Sequence, residues 1–235
     1  YVFEFLKQGG RRDAKSLQGV MEYAIRLMED NIKEQPLDAK WYMYQGQLYN
    51  LEAVALGDAG LSYAAKAEGR FAEAAILSPN RPQIYIELAQ ARKLQHNAPG
   101  VWEAIDRAER LLLNHPLPLA NGFVHAIDLR DESRERRYRE SIDRFSLQEL
   151  QSIRDVYYRV RRVRDALTMQ QKIISLCEVK AECNAKSTAR EYINIAVFYK
   201  ELGLVADARK AAVRVAEIDP SQKAAAEAFI NSLER

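Results

Sequence analysis

The chain has 235 residues, 48% hydrophobic and 29% charged, which fits one large soluble globular domain or two small ones and excludes general disorder. Ten glycines and seven prolines against 33 alanines supply too few turn residues for a β-sandwich or barrel, so the chain is expected to be mostly helical. Thirty-five basic residues nearly cancel 33 acidic ones, a net charge of +2 that demands no anionic partner, and the longest hydrophobic run, Ile195 to Tyr199, is far below the ~18 apolar residues of a membrane span.

The opening Tyr1-Val2-Phe3-Glu4-Phe5-Leu6 is short, acidic and without basic residues, unlike a signal peptide, and the missing initiator Met points to an excised segment of a longer chain. From there an alanine followed twelve residues later by proline recurs: Ala24 and Pro36, Ala67 and Pro79, Ala104 and Pro116, Ala208 and Pro220. The first of these reads as a lone second helix at about 12–35. The next belongs to an elongated helix pair, roughly 38–56 and 60–78, with Gly46 and Tyr49 in its first helix and Phe71 and Ala74 in its second. A further pair carries Tyr85, Leu88 and Ala89 ahead of Ala104. Between 119 and 186 the pattern degenerates, with Gly122 and His125 in first-helix slots, yet Leu147, Leu150, Ile153, Tyr157 and Val160 still recur at helical spacing. The last full pair holds Tyr192, Ala196, Tyr199, Gly203 and Ala208. Residues 221–235 read as a closing helix with Ser221 at its N-cap and Ala225, Phe229 and Leu233 on one face.

Small residues where two helices cross, aromatics beside them and a terminal proline resemble the tetratricopeptide repeat, a unit of about 34 residues. The likeness spans about 12–235 and is strongest at 82–118 and 189–222. It implies an all-α, right-handed α-solenoid of about twelve helices, a single domain over 1–235 with 119–186 as degenerate repeats and 221–235 as the cap. A narrower likeness lies in Lys66-Ala67-Glu68 and in the run Ala74 to Gln90. That stretch is similar to the repeat region of O-antigen ligase and polymerase-type bacterial membrane proteins, where an elongated pair like the one opening with Leu37-Asp38-Ala39-Lys40-Trp41-Tyr42 precedes it. The catalytic part of that family is transmembrane, so the likeness implies a context at the bacterial inner membrane, on either face, and an association with a membrane protein or an upstream transmembrane region, but no activity.

Chemistry is sparse. His96, His115 and His125 lie at no ligand or acid–base spacing, and no nucleotide-binding or nucleophile motif is present, so neither an enzyme nor a cofactor or metal is expected. Cys177 and Cys183 are six residues apart across a helix end, a spacing that admits a disulfide but equally two free thiols, the simpler reading; a bridge implies an oxidising compartment. Residues 130–164 hold eleven arginines against seven acidic residues. Over 130–145 the acidic residues alternate with them at intrahelical pairing distances, the pattern of a solvated face. Arg154, Arg159, Arg161, Arg162 and Arg164 are less balanced and form the candidate site for an anion such as RNA, a lipid headgroup or a polyanionic glycan carrier.

The leading expectation is a non-catalytic scaffold that binds a partner's peptide segment or helix in the concave groove lined by the first helix of each pair. The groove residues are Met43, Gln47 and Asn50, then Gln83, Ile86, Gln90 and Lys93, and then Phe123. The Lys and Asn carboxylate clamp of co-chaperone tetratricopeptide domains is missing, since one of its positions holds Met43, Ile86, Phe123 and Ile193. The alternative is an anion-binding adaptor built on the arginine-rich helices, with nucleic acid the less expected ligand.

Overall fold

A computed structural model describes residues 14–179 and 183–233, which form twelve α-helices, three short 3-10 turns and no strand. The described residues divide into two compact units, unit 1 ending at Pro118 and unit 2 beginning at Leu119. In unit 1, α1 (Ala14–Glu34) precedes the hairpins α2 (Ala39–Leu56) with α3 (Leu61–Leu77) and α4 (Pro82–Leu94) with α5 (Ala98–Leu111). The unit boundary falls inside α6 (Pro116–Leu129). Unit 2 continues with α7 (Glu132–Arg139), α8 (Leu147–Arg159), α9 (Val163–Val179), α10 (Ala185–Glu201), α11 (Val205–Ile218) and α12 (Lys223–Asn231).

The elongated pair is present, with 18 and 17 residues in α2 and α3 against 13 and 14 in α4 and α5. Alanine does what the spacing requires. Ala64, Ala67, Ala74, Ala89 and Ala104 in unit 1, and Ala196 and Ala208 in unit 2, are buried where helix backbones approach. Glycine takes this further at Gly46, where an added Cβ would lie 2.7 Å from the Phe71 ring, so the ring of α3 rests directly on the α2 backbone. Met21 and Ala24 of α1 pack on Leu48 of α2, the contact a second helix makes with the pair that follows it; whether a first helix precedes α1 lies outside the described residues.

Helix starts are fixed by side chains that take up otherwise orphaned N–H groups. Asp38 accepts from Lys40, Asn97 from Gly100 and Asn184 from Ser187, while Ser146 and Glu149 form a capping box at α8. Ser221 is not the N-cap expected of the closing helix. Asp219 caps a 3-10 turn over Pro220–Gln222 by accepting from the Ser221 N–H, and α12 begins only at Lys223 because the turn consumes the first residues. Its Phe229 packs on the cluster of Ile174, Ile195, Ala196 and Ala211.

Each turn from the first to the second helix of a hairpin contains one residue of positive φ: Gly57, His96, Arg130, Arg161 and Gly203. At the last four, the following residue donates its N–H back five residues, Asn97 to Arg92, Asp131 to Ala126, Arg162 to Tyr157 and Leu204 to Tyr199, at 2.8–2.9 Å. This is the Schellman arrangement, which glycine satisfies without steric cost and other residues do not. Two opposite effects follow. His96→Gly should raise stability by about 0.5–1 kcal/mol, and Gly203→Ala, whose Cβ would meet nothing within 4 Å, should lower it by about 1 kcal/mol through the backbone alone. Urea midpoints unmoved by both substitutions would show that these turns carry no such preference.

Candidate functional site

In unit 1 the first helices α2 and α4 lie against each other. Gln47 donates from Nε2 to Glu87 Oε1 at 2.8 Å, and Asn50 donates from Nδ2 to the Glu87 carbonyl at 3.1 Å. Burial pushes the Glu87 carboxyl above the ordinary range, against the opposing pull of the Gln47 and Asn50 amides. Two of the groove amides expected from sequence are therefore ties between helices. Met43 and Asn50 are buried, so neither offers a surface to a partner.

The remaining expected residues of this unit do come together. Gln83, Ile86, Gln90 and Lys93 succeed one another at steps of three and four, which places them on one face of α4, with Gln83 exposed and the other three half-buried. On α2 the stripe that includes Gln47 also carries Tyr44 and Val54, 42% and 55% exposed. Sequence reasoning missed both. The available signal was that α2 opens with Trp41, Tyr42, Met43 and Tyr44 in succession, more apolar surface than one buried face can absorb.

Phe123 belongs to the core of unit 2 and lines no groove. It is fully buried, with ring centroids of Tyr138, Phe145 and Tyr157 at 6.5, 6.2 and 6.1 Å. The cause is local. Gly122 leaves room for the Tyr138 ring, whose Cζ would lie 2.4 Å from an added Cβ, and α7 ends after only eight residues, so the returning chain brings Phe145 over Phe123.

The five arginines expected to hold an anion do not converge. Arg154 is buried and donates to Glu191 and Gln170, both at 2.8 Å. Arg159 donates from Nη2 to both carboxylate oxygens of Asp128, at 2.6 and 2.8 Å. Arg162 donates twice to Glu135, at 2.5 and 2.9 Å, and from Nε to Asp165. Only Arg161 and Arg164 are exposed and without an ion pair among the described residues. Burial alone would raise the Glu135 carboxyl, but hydrogen bonds from Arg162, Arg139 and Tyr157 outweigh it and hold the group below the usual carboxylate range. The same burial, with Glu135 as acceptor, pushes the Tyr157 phenol far up.

Cys177 and Cys183 are joined in a disulfide, their Cα atoms 4.8 Å apart, across the link from α9 to α10. Among the described residues no group of three or more His, Cys, Asp or Glu side chains could hold a metal ion, and no helix is long and apolar enough to cross a membrane.

No protein-family profile matches the chain, and no curated protein matches it by sequence. Solved structures do resemble it. Yeast Tom70 superposes with a TM-score of 0.58 at 14% identity, covering 100% of this chain and 46% of that one. A chain of the APC/C hetero-tetramer Cut9–Hcn1 gives 0.54 at 17% identity, covering 92% and 40%. BtubC (BKLC) from P. vanneervenii gives 0.53 at 15%, covering 90% and 93%. The chain thus spans less than half the length of the first two. At these identities the likeness shows the fold, the all-α tandem of helix pairs found in tetratricopeptide solenoids.

Proposed function

We propose that this protein is a non-catalytic interaction module, and that in unit 1 the face shared by α2 and α4 docks a segment of a partner protein. The observation that carries the reading is the coexistence on that face of exposed or half-exposed apolar side chains, Tyr44, Val54 and Ile86, with amides already tied to Glu87. Aromatic and aliphatic anchors on a rigid support are what a protein interface needs at its centre. The fold supports the reading in kind, since tandem helix pairs expose the first helices as an extended surface.

The proposal extends to context. The likeness of Lys66-Ala67-Glu68 and of Ala74 to Gln90 to the repeat region of O-antigen ligase and polymerase-type proteins supports a role beside a bacterial membrane protein, on either face of the inner membrane. Co-purification of the native full-length protein with the membrane fraction is the expected result.

The docking face is tested by titrating a captured partner against Ile86→Ala and Tyr44→Ala, with Arg161→Glu plus Arg164→Glu as the charge control. Each truncation should weaken binding by about 1–3 kcal/mol if its side chain is central to the contact. Loss of binding in the charge control, with both truncations binding normally, overturns the proposal.

A further inference from the structure

Unit 2 holds a cleft of about 590 Å³ that the α2 and α4 face does not use and that shares only Arg162 with the arginine site expected from sequence. Four arginines, Arg130, Arg136, Arg139 and Arg162, line it together with Glu132 and Glu135. Helix α7 supplies most of this. Glu132, Glu135, Arg136 and Arg139 follow at steps of three, one and three, which puts them on a single helical face. Arg130 and Arg162 come from the two hairpin turns that flank α7 and α8.

The six charged groups are not equivalent. Glu135 is buried and accepts from Arg162, Arg139 and Tyr157, while Asp165 accepts from both Arg139 and Arg162. Two carboxylates thereby neutralise two guanidinium groups and fix them in place. Arg139 makes all of these bonds through Nη2, leaving Nε and Nη1 with no hydrogen-bond partner among the described residues. Arg130 and Arg136 are exposed and have no ion pair among the described residues. Counting the four arginines against Glu132, Glu135 and Asp165 leaves 4 − 3 = +1, with both free positive charges at the cleft. Arg130 also occupies, at φ 56°, a turn position that glycine takes at Gly57 and Gly203. A long cationic side chain thus stands where the backbone favours none, and it lines the cleft.

The geometry suits one class of ligand. Free guanidinium forks beside a fixed one match the oxygens of a tetrahedral dianion, which accepts several charge-assisted hydrogen bonds at once. The volume exceeds what a bare phosphate fills, and the half-buried Val160 adds apolar wall for an attached organic group. We propose that this cleft binds an organic phosphate monoester, with Arg130 and Arg136 taking the phosphate oxygens and Arg139 as the fixed third donor. The chemistry is shared by a small metabolite and by a phosphorylated side chain of a protein.

The test uses the whole chain and phenyl phosphate, a monoester dianion with an apolar group, followed by calorimetry. Saturable binding is expected, weakened at least tenfold by Arg130→Ala with Arg136→Ala, strengthened by Glu132→Gln, and unchanged by Arg161→Ala with Arg164→Ala. Because all of these side chains are exposed, thermal midpoints should stay within a degree or two of the parent, so that loss of binding is not loss of fold. A capped phosphotyrosine peptide separates the sources. Tighter binding of the peptide than of phenyl phosphate assigns a partner's phosphorylated side chain, and exclusion of the peptide assigns a small molecule. Absence of saturable binding, an undiminished response in the Arg130 and Arg136 double variant, or equal binding of benzoate would each overturn the proposal.

Discussion

Truncating Phe123 to alanine should lower folding stability by about 3–5 kcal/mol, the range for removing a fully buried aromatic side chain together with the cavity it leaves. Its ring is enclosed by Tyr138, Phe145 and Tyr157, with no solvent-facing edge. The surroundings have little room to collapse into the gap. Tyr138 is already seated on the Gly122 backbone, and Phe145 is held by the short return from α7 to α8. Phe123→Leu keeps much of the volume and should cost distinctly less. Chemical denaturation measures both, and a cost below about 1 kcal/mol for the alanine variant would return Phe123 to the surface.

The second large effect concerns Glu191. Its carboxylate accepts from Arg154 at 2.8 Å, Gln170 at 3.0 Å, Gln151 at 2.9 Å and Asn194 at 3.1 Å, and the Glu191 and Arg154 side chains are only 2% and 11% exposed. Glu191→Ala leaves a buried guanidinium whose remaining acidic partner, Asp155, is solvent-exposed. Breaking such a pair costs about 3–5 kcal/mol, because the charge left behind is uncompensated. Replacing both partners, Arg154→Met with Glu191→Leu, should cost markedly less than the sum of the two single changes. A double-mutant cycle reads the coupling directly, and strict additivity would mean that the two charges do not support each other.

These two residues show where the sequence could and could not be read. The Ala-to-Pro spacing, Gly46 and Phe71 predict a hairpin whose observed limits differ from the expected ones by one residue at most positions, because crossing points and turns are set by residues close in the chain. Gly203, placed in the last full pair by the same short-range pattern, takes φ 73° where that pair turns. Phe123 was not legible, since its covering residues come from a helix that stops early and from the link that follows. The arginines were illegible for a different reason. A count of charge over 130–164 finds an excess, but Arg154 is paired with a carboxylate 37 residues away and Arg159 with one 31 residues away. Distances along the chain of that size are invisible to local charge balance. On the candidate docking face, the α4 stripe was readable from helical spacing, whereas the roles of Gln47 and Asn50 depend on Glu87 in another helix.

The hairpin turns bear on how the chain reaches this structure. At four of the five the closing hydrogen bond spans only five residues, so a turn can form before any distant part of the chain has been found. Helices elongate within about a microsecond and short loops close faster still, which makes each hairpin an early, local event. The slow step is then docking one hairpin on the next, and only neighbours in sequence need to meet. Such a topology belongs with fast folders, in which rate depends on local contacts more than on chain length. Replacing a turn residue should therefore alter the folding rate when the hairpin is part of the nucleus, and the unfolding rate when it is not.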